Sequence, residues 1–433
     1  MQYRAVKGMN DILPEEVGRW HRLETAFRRL ADLYCYSEVR TPVIEHTELF
    51  VRSIGETTDV VQKEMFTFER SQESLTLRPE GTAGAARAYV SHQVAAREPL
   101  TRWYYLGPMF RAEQPQRGRY RQFWQAGGEI FGDPGPACDA EMIDMLHRLL
   151  AEVGVADVQV CINSLGGPEA RLRHRAALLE YLRPRQDELS PHARERLEVN
   201  PLRVLDSKDP RDRRLAAEAP SILQLLDRAD RAHFDGLCAA LDELGTPYVT
   251  DPGLVRGLDY YTRTLFEFNA STGELGAQNT LCGGGRYDEM VRSLGGPAVP
   301  AIGFAMGLER ILLAMPPLPP ARVPLCYLAP LGPRALRAAL KLARDLRAAG
   351  AKADLDGRGR SLKSMLRRAD SLGARLCIVL GEAELERGVV QLKDLEAHEQ
   401  REVPLSEAPG TIAAALCAPR ARAHPNCASG GSG

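Results

Sequence analysis

The chain has 433 residues, 44% of them apolar and 26% charged, and its 56 Lys and Arg nearly cancel its 57 Asp and Glu. That length exceeds what one hydrophobic core serves, so two or three domains are expected. The near-neutral balance excludes a protein that holds nucleic acid through a general basic surface, and any basic region must be local. Nine cysteines, an odd number with no Cys-x-x-Cys pair, fit reduced thiols better than a disulfide framework or a zinc site. No apolar run approaches the ~20 residues of a membrane span, and the start of the chain is polar. The expectation is a soluble cytoplasmic enzyme with no membrane partner.

Pro14, whose fixed φ suits a first helical turn, opens the first predicted helix. Glu15 and Glu16 favour the positive end of its dipole, and Trp20, Leu23, Phe27, Leu30 and Tyr34 give it one apolar face. An extended segment over 38–44 follows; Pro42 cannot donate to a sheet ladder, which places it at an edge or interface. From 66 to 135 the pattern is that of strands, at 66–68, 75–77, 103–110 and 120–131, an antiparallel sheet with inserted helices such as 141–153. Over 169–246 the chain turns helical and heavily charged and reads as a helical insertion. The strand pattern returns at 254–268, followed by the glycines 283–285, a helix from about Asp288 and a last helix over 303–315. The Pro-rich stretch 316–322 is a linker. Beyond it, strands at 323–329, 352–355 and 376–380 alternate with helices at 333–349 and 361–372. A hairpin near 388–404 and a helix at 410–417 complete a small α/β domain over 323–418. The tail 419–433 is Ala/Arg/Ser/Gly-rich and reads as disordered.

Four clusters carry chemistry. On the strand 120–131 the period of two puts Phe123, Gln125, Gly127, Glu129 and Phe131 on one face and Trp124, Ala126, Gly128 and Ile130 on the core face. An amide and a carboxylate thus flank a glycine gap, and a small polar ligand over Gly127 would satisfy them; a strand with a solvated polar face is the alternative. Glu80-Gly81-Thr82 opens a helix after Arg78-Pro79, where Glu80 could take an ammonium or simply cap the helix. The segment 253–264 holds Arg256, Tyr260 and Tyr261, and the glycines before Arg286 and Tyr287 let backbone approach a ligand. That run is neither a P-loop nor a dinucleotide fingerprint. In 303–310 small residues precede Arg310, which alone reads as a surface arginine.

In this order the clusters closely resemble the three signature motifs of class II aminoacyl-tRNA synthetases. Arg256 to Thr264 and Gly283 to Asp288 resemble the two signatures peculiar to the histidyl members, and Lys7 to Pro14 matches as well. The resemblance covers about 5–417. It implies an α+β catalytic domain built on an antiparallel sheet flanked by helices (1–168 and 247–315), a helical insertion (169–246) and a C-terminal α/β anticodon-binding domain.

By that resemblance the chain ligates L-histidine to tRNA(His) through a histidyl-adenylate, with ATP as substrate and Mg²⁺ held mainly by the ATP phosphates. The long helix and proline-bearing segment over 14–44 imply a homodimer. Arg111 matches the arginine on the α-phosphate and the histidine carboxylate, and Arg256 the catalytic arginine. Glu113 falls near adenine, Arg119 and Arg121 near phosphates, and Arg310 against adenine and the γ-phosphate. Glu80, Thr82 and Gln125 match residues that take the α-amino group, Glu129 and Tyr261 those that read the imidazole, and Tyr260 and Tyr287 line the pocket. A site that pairs a buried polar side chain rejects apolar analogues by about 10⁴–10⁵-fold, so the insertion serves tRNA grip rather than proofreading. Gln116 and the basic set Arg358, Arg360, Lys363, Arg367 and Arg368 are the tRNA contacts implied; relatives often carry arginine where Gln114 stands.

Three rivals differ in what they require. A histidine-sensing regulatory paralogue typically lacks the C-terminal domain and the catalytic arginines, and this chain retains both. A synthetase for threonine or proline would not carry the two histidyl signatures. A non-enzymatic RNA-binding module has no need of the ATP constellation.

Overall fold

The computed structural model describes residues 3–417 apart from 57, 199, 208, 257, 259, 271–278 and 318–324. The tail 419–433 and most of the linker therefore lie outside the described residues. The chain divides into two units, 1–316 and 317–433.

Helix α1 (Pro14–Leu33) begins at the proline, carries Glu15 and Glu16 in its first turn and buries Trp20, Leu23, Phe27 and Leu30. That face packs on an eight-stranded sheet. Its strands in chain order are β1 (Ser37–Glu38), β2 (Thr101–Phe110), β3 (Gln122–Phe131), β4 (Val158–Ser164), β5 (Val249–Thr250), β6 (Thr262–Ala270), β7 (Thr280–Arg286) and β8 (Ala301–Gly307). They lie in the order β1-β2-β3-β8-β7-β6-β4-β5. The six inner strands are antiparallel, while β1 on β2 and β5 on β4 are parallel. The sheet is therefore mixed, with two-residue parallel strands added at its edges by long crossovers. Pro42 stands in the stretch that leaves the edge strand β1 for a small three-stranded sheet beginning at Ile44.

Two sequence expectations change. Residues 303–307 are strand β8, not the start of a helix; the helix is only α6 (Leu308–Ala314). Arg310 follows Gly307 by about one helical turn, but Gly303, Ala305 and Gly307 are two residues apart and Ile302, Phe304 and Met306 alternate into the core, which is the period of a strand. The strand expected from 254 begins at Thr262, and among the described residues before it Arg256, Tyr260 and Tyr261 are not in a strand.

On the face of the sheet that packs on α1 lie α3 (Pro136–Glu152) and α5 (Arg228–Leu244), whose Ile143, Leu146, Phe234, Leu237 and Leu241 share the main core. Thus α5, which falls inside the sequence range 169–246, packs with the main core. From α4 (Pro168–Leu182) onward the preceding helical segment has its own small core of Leu178, Leu182, Leu189, Leu197, Val204 and Leu215. Helix α2 (Thr82–Ser91) lies apart from the main core, packed in a second cluster through Ala86 and Tyr89.

The second unit is a five-stranded sheet, in the order β10-β9-β11-β12-β13, from β9 (Leu325–Pro330), β10 (Lys352–Leu355), β11 (Leu376–Leu380), β12 (Val389–Asp394) and β13 (Glu399–Pro404). Its first three strands are parallel and its last two form the antiparallel hairpin expected. Helices α7 (Pro333–Ala348) and α9 (Ala408–Cys417) contribute to one core, and α8 (Leu362–Ser371) to the other through Met365 and Ala369.

Candidate active site

A cavity of about 450 Å³ opens over β3, β8 and β7 and has two chemically distinct ends. Behind the wall of the first, Glu129 projects from β3; it is fully buried and does not itself line the cavity, whereas Tyr287 and Gly303, which touch it, do. The Tyr105 hydroxyl donates to its Oε1 at 3.0 Å, and the Tyr287 hydroxyl donates to Oε2. Burial raises the Glu129 carboxyl to about 8 against the pull of the Tyr287 hydrogen bond, and the same burial raises the phenols of Tyr105 and Tyr287. Gly303 lies opposite Glu129 on β8, where any Cβ would overlap Oε2, so the carboxylate has its place only because residue 303 is glycine. Tyr260 and Tyr261 wall this end, with ring centroids 4.5 Å apart, and Tyr260 meets Tyr287 edge-on at 5.7 Å.

The glycine gap at Gly127 is closed. Tyr105 faces Gly127 across the β2–β3 ladder and its phenol fills the space a Cβ would need, so a ligand over Gly127 is not what satisfies this face. The same ring excludes a side chain at Gly81, next to Glu80. Glu80 accepts from the Thr82 and Ala83 backbone N–H groups at 2.7 and 2.8 Å, which is the capping reading of that segment. Its carboxyl too is raised by burial. Gln125 Oε1 accepts from Gly81 N at 3.2 Å. Glu80, Thr82 and Gln125 thus line the cavity from one small neighbourhood at the start of α2.

The other end gathers arginines. Arg111, at the end of β2, donates from Nε to Pro79 O at 2.9 Å and lies 5.4 Å from the Phe123 ring centroid. Glu113 sits 3.0 Å from Arg119 and 3.9 Å from Arg111. Arg310 donates to Gly118 O and Thr280 O, each at 3.0 Å; burial, then the charge of Arg119, lowers its pKa. Arg256 packs over Gly283, where a Cβ would crowd its guanidinium, and pairs with Glu267. Burial opposes the Arg256 charge, but Glu267 together with Tyr261 and Tyr260 outweighs it and the guanidinium is held charged.

Arg121 does not line the cavity: its Nε donates to Glu113 O at 3.2 Å, and its backbone N to Gly8 O at 2.7 Å. Gln116 forms an isolated bridge with Arg119 in the loop between β2 and β3. In the second unit Arg358, Arg360, Lys363, Arg367 and Arg368 are exposed, and Arg358 is paired with Asp356 at 2.6 Å.

Sequence reasoning missed Tyr105, Glu267, Glu64, Arg203 and Asp206. Glu267 carried a signal, a carboxylate set between Phe266 and Phe268 in the apolar stretch of its strand. Tyr105 is identified by the β2–β3 register alone, and Arg203 and Asp206 reach the cavity from the insertion, which no local pattern announces.

The family model of histidyl-tRNA synthetases matches residues 8–311, and that of an anticodon binding domain matches 325–415. The chain is 64% identical to the histidine–tRNA ligase of Sorangium cellulosum over 95% of this chain and 96% of the other. It is 48% identical to that of Thermosynechococcus vestitus over 94% and 95%. Among solved structures, the apo histidyl-tRNA synthetase of S. aureus is similar with a TM-score of 0.80 and 35% identity, over 95% of this chain and 100% of that one.

Proposed function

The chain belongs to the histidyl-tRNA synthetase family and ligates histidine to tRNA; from that premise we propose how its residues divide the work. The observation that carries the reading is the pairing of a buried carboxyl, held by two phenols behind the tyrosine wall at one end of the cavity, with Arg111, Arg119, Arg256 and Arg310 at the other.

Glu129 and Tyr261 read the two imidazole nitrogens, one partner accepting and the other donating or accepting. Tyr260 and Tyr287 complete the wall around the ring. Glu80, Thr82 and Gln125 take the α-ammonium, close to where Arg111 can meet the carboxylate. ATP enters with its Mg²⁺ held mainly by its phosphates, since Glu113 and Glu267, two carboxylates of the phosphate end, are already paired with arginines. Arg310 packs on adenine beside Glu113 and reaches the γ-phosphate, and Arg119 adds a phosphate contact.

The histidine carboxylate is ionised at neutral pH and attacks the α-phosphorus without a general base. Arg111 and Arg256 flank the charge that develops as pyrophosphate leaves, so catalysis is positioning and charge stabilisation. The terminal ribose hydroxyl of tRNA then attacks the adenylate carbonyl and AMP leaves. Arg121 acts through the loop it fixes to Glu113, and Gln116 in that loop meets the acceptor end. The second unit takes the anticodon stem, with Arg358, Arg360, Lys363, Arg367 and Arg368 facing phosphates. Exposed Leu33, Val43, Ile44 and Phe68, near the end of α1 and in the small sheet, support a homodimer.

ATP–pyrophosphate exchange with each standard amino acid tests this reading. Exchange with histidine alone is expected. Exchange with another amino acid overturns the pocket assignment, and histidine binding without exchange points to a regulatory protein.

A further inference from the structure

Between β6 and β7 the ladder slips: Gly285 faces Leu265, but Arg286 faces Thr262. The extra residues include Arg263, whose backbone is left-handed at φ 43°, a conformation a non-glycine residue keeps only when its surroundings enforce it. Its backbone is tied on both sides, N to Gly166 O at 3.0 Å and O to Leu165 N at 2.7 Å. Pocket tyrosines enter from both strands at this slip: Tyr261 immediately before β6, and Tyr287 immediately after β7.

One carboxylate on α3 holds the two strands there. Asp139 Oδ2 accepts from Thr264 Oγ1 at 2.6 Å on β6 and from Arg286 Nε at 3.0 Å on β7, while its Oδ1 lies 2.6 Å from the same guanidinium. Arg286 donates further to Asp133 O and Gly135 O at 2.8 and 2.7 Å, beside the start of α3. Both side chains of the pair are fully buried, and neither lines the cavity. A buried ion pair is poor value as a stabiliser, because desolvation offsets most of the attraction. Its geometric effect is definite: it fixes where residue 287 leaves the sheet.

We propose that Asp139, Arg286 and Thr264 form a positioning clamp for histidine selection, acting through Tyr287, whose phenol the clamp delivers to Glu129. The inference rests on the reading that Glu129 and Tyr287 surround the imidazole. None of the three residues touches substrate; they set the angle at which Tyr287 meets the carboxylate.

The test measures KM for histidine and for ATP by pyrophosphate exchange in Arg286→Lys and Thr264→Val, each alone and combined with Tyr287→Phe. Alone, Arg286→Lys raises KM for histidine roughly tenfold, the scale of one charge-assisted hydrogen bond, with KM for ATP unchanged. In the Tyr287→Phe background the same substitution adds nothing further, since the clamp then has no phenol to deliver. A lowered Tm with unchanged KM for histidine, or effects that simply add, overturns the proposal. Should Arg286→Lys not fold, the milder Thr264→Val decides by the same comparison. If Tyr287→Phe itself leaves KM for histidine unchanged, the pocket reading fails; if it raises KM and the clamp variants do not, only the clamp fails.

Discussion

Gly303 stands directly across the β3–β8 ladder from Glu129, and the space its missing side chain leaves is occupied by the Glu129 carboxylate. Two strands are thus matched so that a carboxyl group can be fully buried at that point of the sheet. Gly303→Ala must push Glu129 off its two phenols or distort the ladder. Histidine KM in pyrophosphate exchange is expected to rise by at least about tenfold, with ATP KM little changed. An unchanged histidine KM would show that the carboxylate is not held where the imidazole binds.

Glu129 also sets a pH signature. Its folded-state carboxyl is raised to about 8 by burial, from an ordinary value of 4.5. The native state therefore keeps a proton that the unfolded chain releases between about 4.5 and 8, and stability falls as pH rises through that window. Glu129→Gln keeps the shape without the titration, so its Tm should decline less from pH 5 to pH 8 than that of the parent chain. Parallel Tm curves would remove Glu129 as the source.

Much of this site is legible from local pattern, and the remainder is not for definite reasons. The period of two on β3 separates Gln125 and Glu129 from the core-facing Ala126 and Ile130 because alternation is a property of one strand. What lies over Gly127 is a property of two strands: the register that brings Tyr105 there is set by pairing, so the gap looks like ligand space until the partner is known. The small residues at 303, 305 and 307 alternate as strand residues do, and why residue 303 must be small is again a property of two paired strands. At 303 smallness is demanded by Glu129 opposite, not by a helix packing nearby. Arg203 and Asp206 lie beyond any such reading, since they reach the cavity from the insertion.

Arg256 is the residue on which the rate should depend most. It is half-buried, paired with Glu267 and faces the arginine-lined end of the cavity, so its positive charge is already oriented before ATP arrives. Arg256→Ala should lower kcat for exchange by about 10²–10³-fold, the usual loss of one preorganised donor, with a much smaller change in histidine affinity. Equilibrium binding of histidine, measured beside exchange, separates the two effects. Unchanged exchange would take Arg256 out of the mechanism.

The division of the chain at residue 316 predicts a division of labour. Each unit has its own hydrophobic core, and every residue assigned to histidine or ATP lies in the first. A chain ending at Pro316 should retain histidine-dependent pyrophosphate exchange and lose most of its tRNA charging at limiting tRNA. Normal charging by the shortened chain would refute the anticodon-stem assignment.

The basic residues of the second unit make the last expectation quantitative. Lys363 and Arg367 are one helical turn apart on α8, Arg360 lies just before it, and all three are exposed. Arg358 differs, because Asp356 accepts from its guanidinium at 2.6 and 2.8 Å and occupies it locally. If the three exposed cations each neutralise a phosphate, changing all of them to glutamine flattens the salt dependence of tRNA affinity by about 2 in log–log slope. The same change at Arg358 alone should alter the slope less than a change at Arg367. Pyrophosphate exchange should be untouched in both variants, since it needs no tRNA. A slope unaltered by the triple change, measured by filter binding between low and physiological salt, would return these residues to the status of a solvated helix face.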